Sequence, residues 1–147
     1  MSLENRTVHG YYDVQTSGSP VRVYFLGKLN LTRDRDKPIG DFSKGTLRGE
    51  IVDRYGTASI NGRLDDGKLT FEKRYHSRKR PIIFETTRGA HTTEEDTFIG
   101  SYRYQKREEP SGNVKISISN QELASASLGI NLVEDAMEAL RQLIERR

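Results

Sequence analysis

Phe71, Lys73 and Tyr75 fall at every second position of one short segment, so if Leu69 and Phe71 point inward, Lys73 and Tyr75 do the same. An enclosed lysine needs a carboxylate, water or an anionic ligand, because an unpaired buried charge loses too much solvation. Asp53 shares the parity of Leu47, Gly49 and Ile51 on the preceding run but one, which makes it the nearest counter-charge and places a Lys73–Asp53 pair at a barrel mouth. Such a trio suits recognition of a polar or anionic group by Lys73 and Tyr75, or acid–base chemistry with Asp53. The competing arrangement is structural, with the lysine snorkelling past a rim and the aspartate capping its own turn. Phe25 and Tyr102 join Phe71 as apolar contacts, and Tyr104 shares the parity of Phe98, Gly100 and Tyr102. Inward glycines such as Gly27 and Gly100 leave volume, and tyrosine walls add hydroxyls that fix a ligand. Against this, a narrow barrel fills itself with its own aromatics.

The elements that must position these residues are strands. From Leu47 to Tyr75, small and apolar residues recur with period two in three runs, joined by Asp53-Arg54-Tyr55-Gly56 and Asp65-Asp66-Gly67. Asp-Gly between alternating runs is a strong hairpin signal, since both central residues tolerate positive φ. Thr7–Val14 and Val21–Leu31 read as two earlier strands. Asp34–Gly45, with Pro38 and Gly40, reads as a loop. Residues 81–87, 96–106 and 114–119 read as later strands, with a loop around Gly89. The period then changes: from Asn131, Leu132, Val133, Ala136, Met137, Leu140, Leu143 and Ile144 form a helical stripe. Asn131 is placed to cap it, with acids early and arginines late along the helix dipole. A short helix over Gln121–Leu128, capped by Asn120 and broken at Gly129, precedes it.

At 147 residues, with 33% hydrophobic and 31% charged, the chain suits a single domain over 1–147 with one compact core and a wet surface. A formal charge of +3 spread among acids gives no broad stripe for nucleic acid, although Arg74–Arg80 is a local basic run. Cysteine is absent, which excludes disulfides, thiolate catalysis and cysteine-ligated zinc. No segment has the ~20 apolar residues of a membrane-spanning helix. The amino-terminal MSLENRTVHG lacks a signal-peptide core, so a cytoplasmic location is expected.

The stretch RGEIVDRYGTASINGRLDDGKLTFEKRY resembles a signature of lipocalin-like, or calycin-like, small barrels, in which Gly-x-x-x-Asp-x-x-Gly leads into Phe-x-Lys-x-Tyr. The matching residues are Gly49, Asp53 and Gly56, then Phe71, Lys73 and Tyr75. This resemblance implies an up-and-down antiparallel barrel around a cavity, with ligand binding common and enzymatic activity less so. The Gly-x-Trp element of true lipocalins is absent, as the chain has no tryptophan, and Gly10-Tyr11-Tyr12 stands at a comparable early position.

Other chemistry finds little support. His9, His76 and His91 are far apart, and the loop from Gly89 to Asp96 has no metal-ligand spacing. Phosphate-cradling glycine motifs and a Gly-x-Ser-x-Gly elbow are missing. The expectation is therefore a mainly β, up-and-down antiparallel calycin-like β-barrel of seven or eight strands over 7–119, with a helical extension over 120–147 packing on the barrel or a partner chain. It holds a small organic molecule through Phe25, Asp53, Phe71, Lys73, Tyr75, Tyr102 and Tyr104, without metal or cofactor. The alternatives are a solid barrel that forms a homodimer through Leu132, Met137, Leu140 and Ile144 of its helix, and an enzyme using Asp53, Lys73 and Tyr75. A nucleic-acid or membrane partner is not expected.

Overall fold

A computed structural model describes residues 3–37, 43–77, 80–91, 95–119 and 128–145. Eight strands follow one another around a closed antiparallel barrel. They are β1 (Leu3–Val14), β2 (Val21–Arg33), β3 (Lys44–Asp53), β4 (Gly56–Asp65), β5 (Lys68–Tyr75), β6 (Ile82–His91), β7 (Glu95–Tyr104) and β8 (Gly112–Ser119), and helix α1 (Leu128–Glu145) comes last. Each strand pairs with its sequence neighbours, and β1 closes on β8. Closure removes the exposed sheet edge that an open meander would leave.

Period-two burial explains why these segments are strands. In β2, Val23, Phe25, Leu29 and Leu31 are buried, while Arg22, Tyr24, Lys28 and Asn30 are exposed on the outer face. In β5, Leu69, Phe71, Lys73 and Tyr75 are all buried. The β4–β5 connection is the two-residue hairpin that Asp-Gly specifies: Asp65 pairs with Lys68, and Asp66 and Gly67 take φ of 46° and 85°. The β3–β4 connection is equally tight, with Asp53 paired to Gly56 across Arg54 and Tyr55.

Several boundaries differ from the sequence reading. β3 begins at Lys44, inside the segment read as a loop. β6 continues to His91, and the glycine read as a loop centre, Gly89, lies at a register shift between Arg88 and Ala90 instead. Helix α1 begins at Leu128, so Gly129 does not break it and Asn131 lies within it rather than capping it. With that start, no acid falls in the first turn and no base in the last. The short helix over 121–128 and its cap Asn120 lie outside the described residues, apart from Leu128.

Inward glycines do not leave empty volume. A Cβ on Gly100 would collide with the Glu85 carbonyl oxygen, and one on Gly62 would collide with the Phe71 Cβ. Neighbouring strands and aromatic side chains already occupy that space, as at glycine kinks that let a small barrel curve. The interior is therefore largely packed by its own side chains, with Phe71 stacked on Phe84 at 4.6 Å between centroids.

Helix α1 lies against the outside of the barrel over β2, β3 and β4. Val52, on the outward face of β3, and Met137 of the helix are both buried without belonging to the interior cluster, so they are covered where helix meets sheet. Arg141 bonds Glu50 of β3 and donates from Nε to Thr57 Oγ1 of β4 at 3.2 Å. Leu140 and Ile144 are half-buried and Leu143 is exposed.

The seam between β1 and β8 is short, running from Val8 opposite Ile118 to Tyr12 opposite Val114. It is tied beyond its end by Thr7 N donating to Ser119 Oγ (3.0 Å) and Arg6 Nη1 donating to the Ser119 carbonyl (2.6 Å).

Candidate functional site

Four connections, β1–β2, β3–β4, β5–β6 and β7–β8, gather at one end of the barrel, here called the mouth. Asp53 ends β3 and Tyr75 ends β5, so the topology delivers both to this end, and Lys73 lies one inward step below Tyr75.

Asp53 divides its carboxylate between turn and interior. Oδ1 accepts from the Tyr55 backbone N–H at 2.8 Å, capping the two-residue turn. Oδ2 accepts from Lys73 Nζ at 2.7 Å, from the Tyr75 hydroxyl at 2.5 Å and from the Tyr12 hydroxyl at 2.9 Å. The Tyr12 and Tyr75 hydroxyl oxygens are themselves 2.9 Å apart. The turn-capping role and the ion pair, set against each other in the sequence, are thus both present. The lysine does not snorkel to the rim: Asp53 and Lys73 are each only 1% exposed. The Lys73 ammonium also stands 4.4 Å from the ring centroids of Tyr12 and of Tyr75, so two aromatic faces help solvate it.

The electrostatics follow from this enclosure. Burial pushes the Lys73 ammonium below the ordinary lysine range, and the charge and hydrogen bond of Asp53 oppose that shift. Burial first, and the Asp53 charge second, hold the Tyr12 and Tyr75 phenols far above the usual tyrosine range. Tyr102, whose hydroxyl donates to the Asp13 carbonyl at 2.7 Å, is pushed up to about 12 by burial. All three therefore remain protonated donors in the native state.

Above this cluster the mouth contains a pocket of about 220 Å³. Tyr12, Tyr55, Tyr75, Phe84, Tyr102 and Tyr104 form its walls, completed by Val14 and Ile82. Tyr104 and Tyr55 are partly exposed and form the rim, while Tyr12, Tyr75, Phe84 and Tyr102 are buried below. Two further depressions, of about 280 and 250 Å³, adjoin it, sharing Tyr104 and bordered by Arg80, Lys106 and Arg107.

Of the residues singled out from sequence, Tyr75, Tyr102 and Tyr104 line this pocket. Asp53 and Lys73 lie under its tyrosine floor, and Phe25 and Phe71 belong to the packed interior below. The structure brings Tyr12 to the centre of the site, where the sequence reading places no functional weight. Its signal is present: Tyr12 shares the inward parity of Val8, and it is the third residue of Gly10-Tyr11-Tyr12, where the resemblance has its tryptophan. Phe84 is also absent from that reading, and Tyr55 figures there as a turn residue, not as a pocket wall. Tyr55 is carried in by the tight turn that Asp53 caps, and Phe84 by the pairing of β6 with β5 opposite Phe71.

Fold and site together define an eight-stranded up-and-down barrel with an aromatic pocket at its mouth above a buried ion pair. No protein-family model, curated protein or solved structure matches the chain. Among the described residues, no helix is long and apolar enough to cross a membrane.

Proposed function

We propose that this barrel binds a small organic molecule in the pocket at its mouth. The observation that carries the proposal is the placement of about 220 Å³ of space, walled by six aromatic side chains, at the one end of the barrel where the Asp53 cluster fixes the walls. Binding pockets typically combine apolar walls with a few placed polar groups, and this one has hydroxyls held by a buried carboxylate. Its volume lies below the ~300–1,000 Å³ of drug-sized sites, which suits a ligand of one or two rings. The calycin-like resemblance of residues 48–75 supports the same reading, because it implies binding within a barrel.

Native mass spectrometry of protein purified without denaturation reports any retained ligand, and ring-proton NMR maps where mono- and bicyclic aromatic compounds bind. The expected result is selective perturbation of Tyr12, Tyr75, Phe84 and Tyr102. A panel of such compounds that leaves all four rings unmoved would remove the proposal.

A further inference from the structure

Resting on that reading, the hydrogen bonds of the mouth also assign the ligand's polarity. A tyrosine hydroxyl has one proton and two lone pairs. The protons of Tyr12 and Tyr75 are committed to Asp53 Oδ2 or to the contact between the two hydroxyls, in every arrangement inside the cluster. The Tyr102 proton is committed to the Asp13 carbonyl. The Lys73 ammonium, whose donor bond runs to Asp53, is sealed beneath. What these three buried hydroxyls can still offer to the pocket is oxygen lone pairs.

A carboxylate or phosphate fits such a floor badly. It would meet lone pairs, and turning a phenolic proton toward it would strip a charge-assisted bond from a carboxylate that is itself 1% exposed. Lys73 gives no net attraction, because Asp53 neutralises it at 2.7 Å. A cationic ligand fits badly for a different reason. The faces of Tyr12 and Tyr75 already hold an ammonium at 4.4 Å, and a second positive charge on the same rings would be repelled by the first.

We infer that the pocket selects an uncharged aromatic hydrogen-bond donor, of the phenol, aniline or indole type, whose O–H or N–H points down to the Tyr12 and Tyr75 oxygens. Aromatic walls receive its ring by stacking or edge contacts, as Phe84 and Tyr102 already do with each other at 5.4 Å. Of the polar or anionic group that the sequence reading offers to Lys73 and Tyr75, this inference keeps the polar alternative, as a neutral donor.

The test uses the unmodified full chain and matched probes: phenol with anisole, indole with N-methylindole, and benzoate and benzylamine as charged counterparts. Affinities come from NMR titration, with the Tyr12, Tyr75 and Tyr102 ring signals reporting location. Phenol and indole should bind at these rings roughly five- to tenfold more tightly than their methylated partners, the worth of one net hydrogen bond, and more tightly than either charged probe. Equal binding of anisole and phenol, or tighter binding of benzoate or benzylamine, overturns the assigned polarity while leaving the pocket intact. Failure of every probe, donor or not, to move those rings removes the pocket reading itself and this inference with it.

Discussion

Replacing Asp53 with asparagine should expose how the buried pair is balanced. The amide keeps the size of the side chain and an oxygen for the phenols, but leaves the Lys73 ammonium, 1% exposed, without a counter-charge. Removing one partner of a buried pair costs about 3–5 kcal/mol. The reverse change, Lys73→Met, leaves the carboxylate three of its four donors, the Tyr12 and Tyr75 hydroxyls and the Tyr55 N–H, so it should cost only about 1–3 kcal/mol. The double variant should be less damaged than the sum of the singles, with a coupling of at least about 1 kcal/mol. Urea unfolding followed by tyrosine fluorescence measures all three, since the chain has no tryptophan to mask the signal.

The pH dependence of Asp53→Asn adds a second constraint. Burial lowers Lys73 and Asp53 opposes the shift, so removing the charge lowers Lys73 further. Between that depressed value and the ~10.4 of an unfolded lysine, the unfolded chain binds a proton the folded chain lacks. Stability must then rise with pH, by about 1.36 kcal/mol per unit over that window. The variant should therefore recover as pH climbs toward the ordinary lysine range, more steeply than the parent. A loss below about 1 kcal/mol, or a variant whose stability is flat over that window, would refute the picture of a charged lysine held by one carboxylate.

Tyr12, Tyr75 and Tyr102, three of the seven tyrosines, have folded values raised above the free phenol, so their contribution is full below about pH 10 and is lost as pH rises beyond it. Tyrosinate absorbance should show these three withheld in the native protein and released together at alkaline unfolding. Met137→Ala should cost about 2–5 kcal/mol, because Met137 is fully buried against the barrel, and hydrogen exchange should quicken around Val52. Arg141→Ala, which removes a partly exposed ion pair, should cost no more than about 1 kcal/mol in the same assays.

The sequence made the local geometry legible because the signals were local. Alternation located the strands, Asp66-Gly67 located a hairpin, and strand parity alone put Lys73, Tyr75 and Asp53 on one side of the sheet. The third partner, Tyr12, lies 41 residues before Asp53 and meets it only because the barrel closes. Closure depends on the sum of curvature and register over eight strands, which no single window of residues carries. The same limit hid the packing: that Phe25 and Phe71 fill the interior while Tyr104 stands at the rim depends on how far each lies from the mouth along its strand. Helix α1 shows in the sequence as a stripe, but its start does not, because Asn131 is a cap-type residue that falls inside the helix.

The brevity of the β1–β8 seam has a consequence for how the molecule comes apart. Ser119 and Arg6 meet although they stand 113 positions apart in the chain, so this junction bears the largest loop-closure entropy in the fold and should zip last. Heat or shear should unlatch it first, and the parted terminal strands would each offer a bare ladder to the complementary strand of another molecule. Strand exchange between copies is thus a hazard written into the topology, and holding Ser119 in place guards against it.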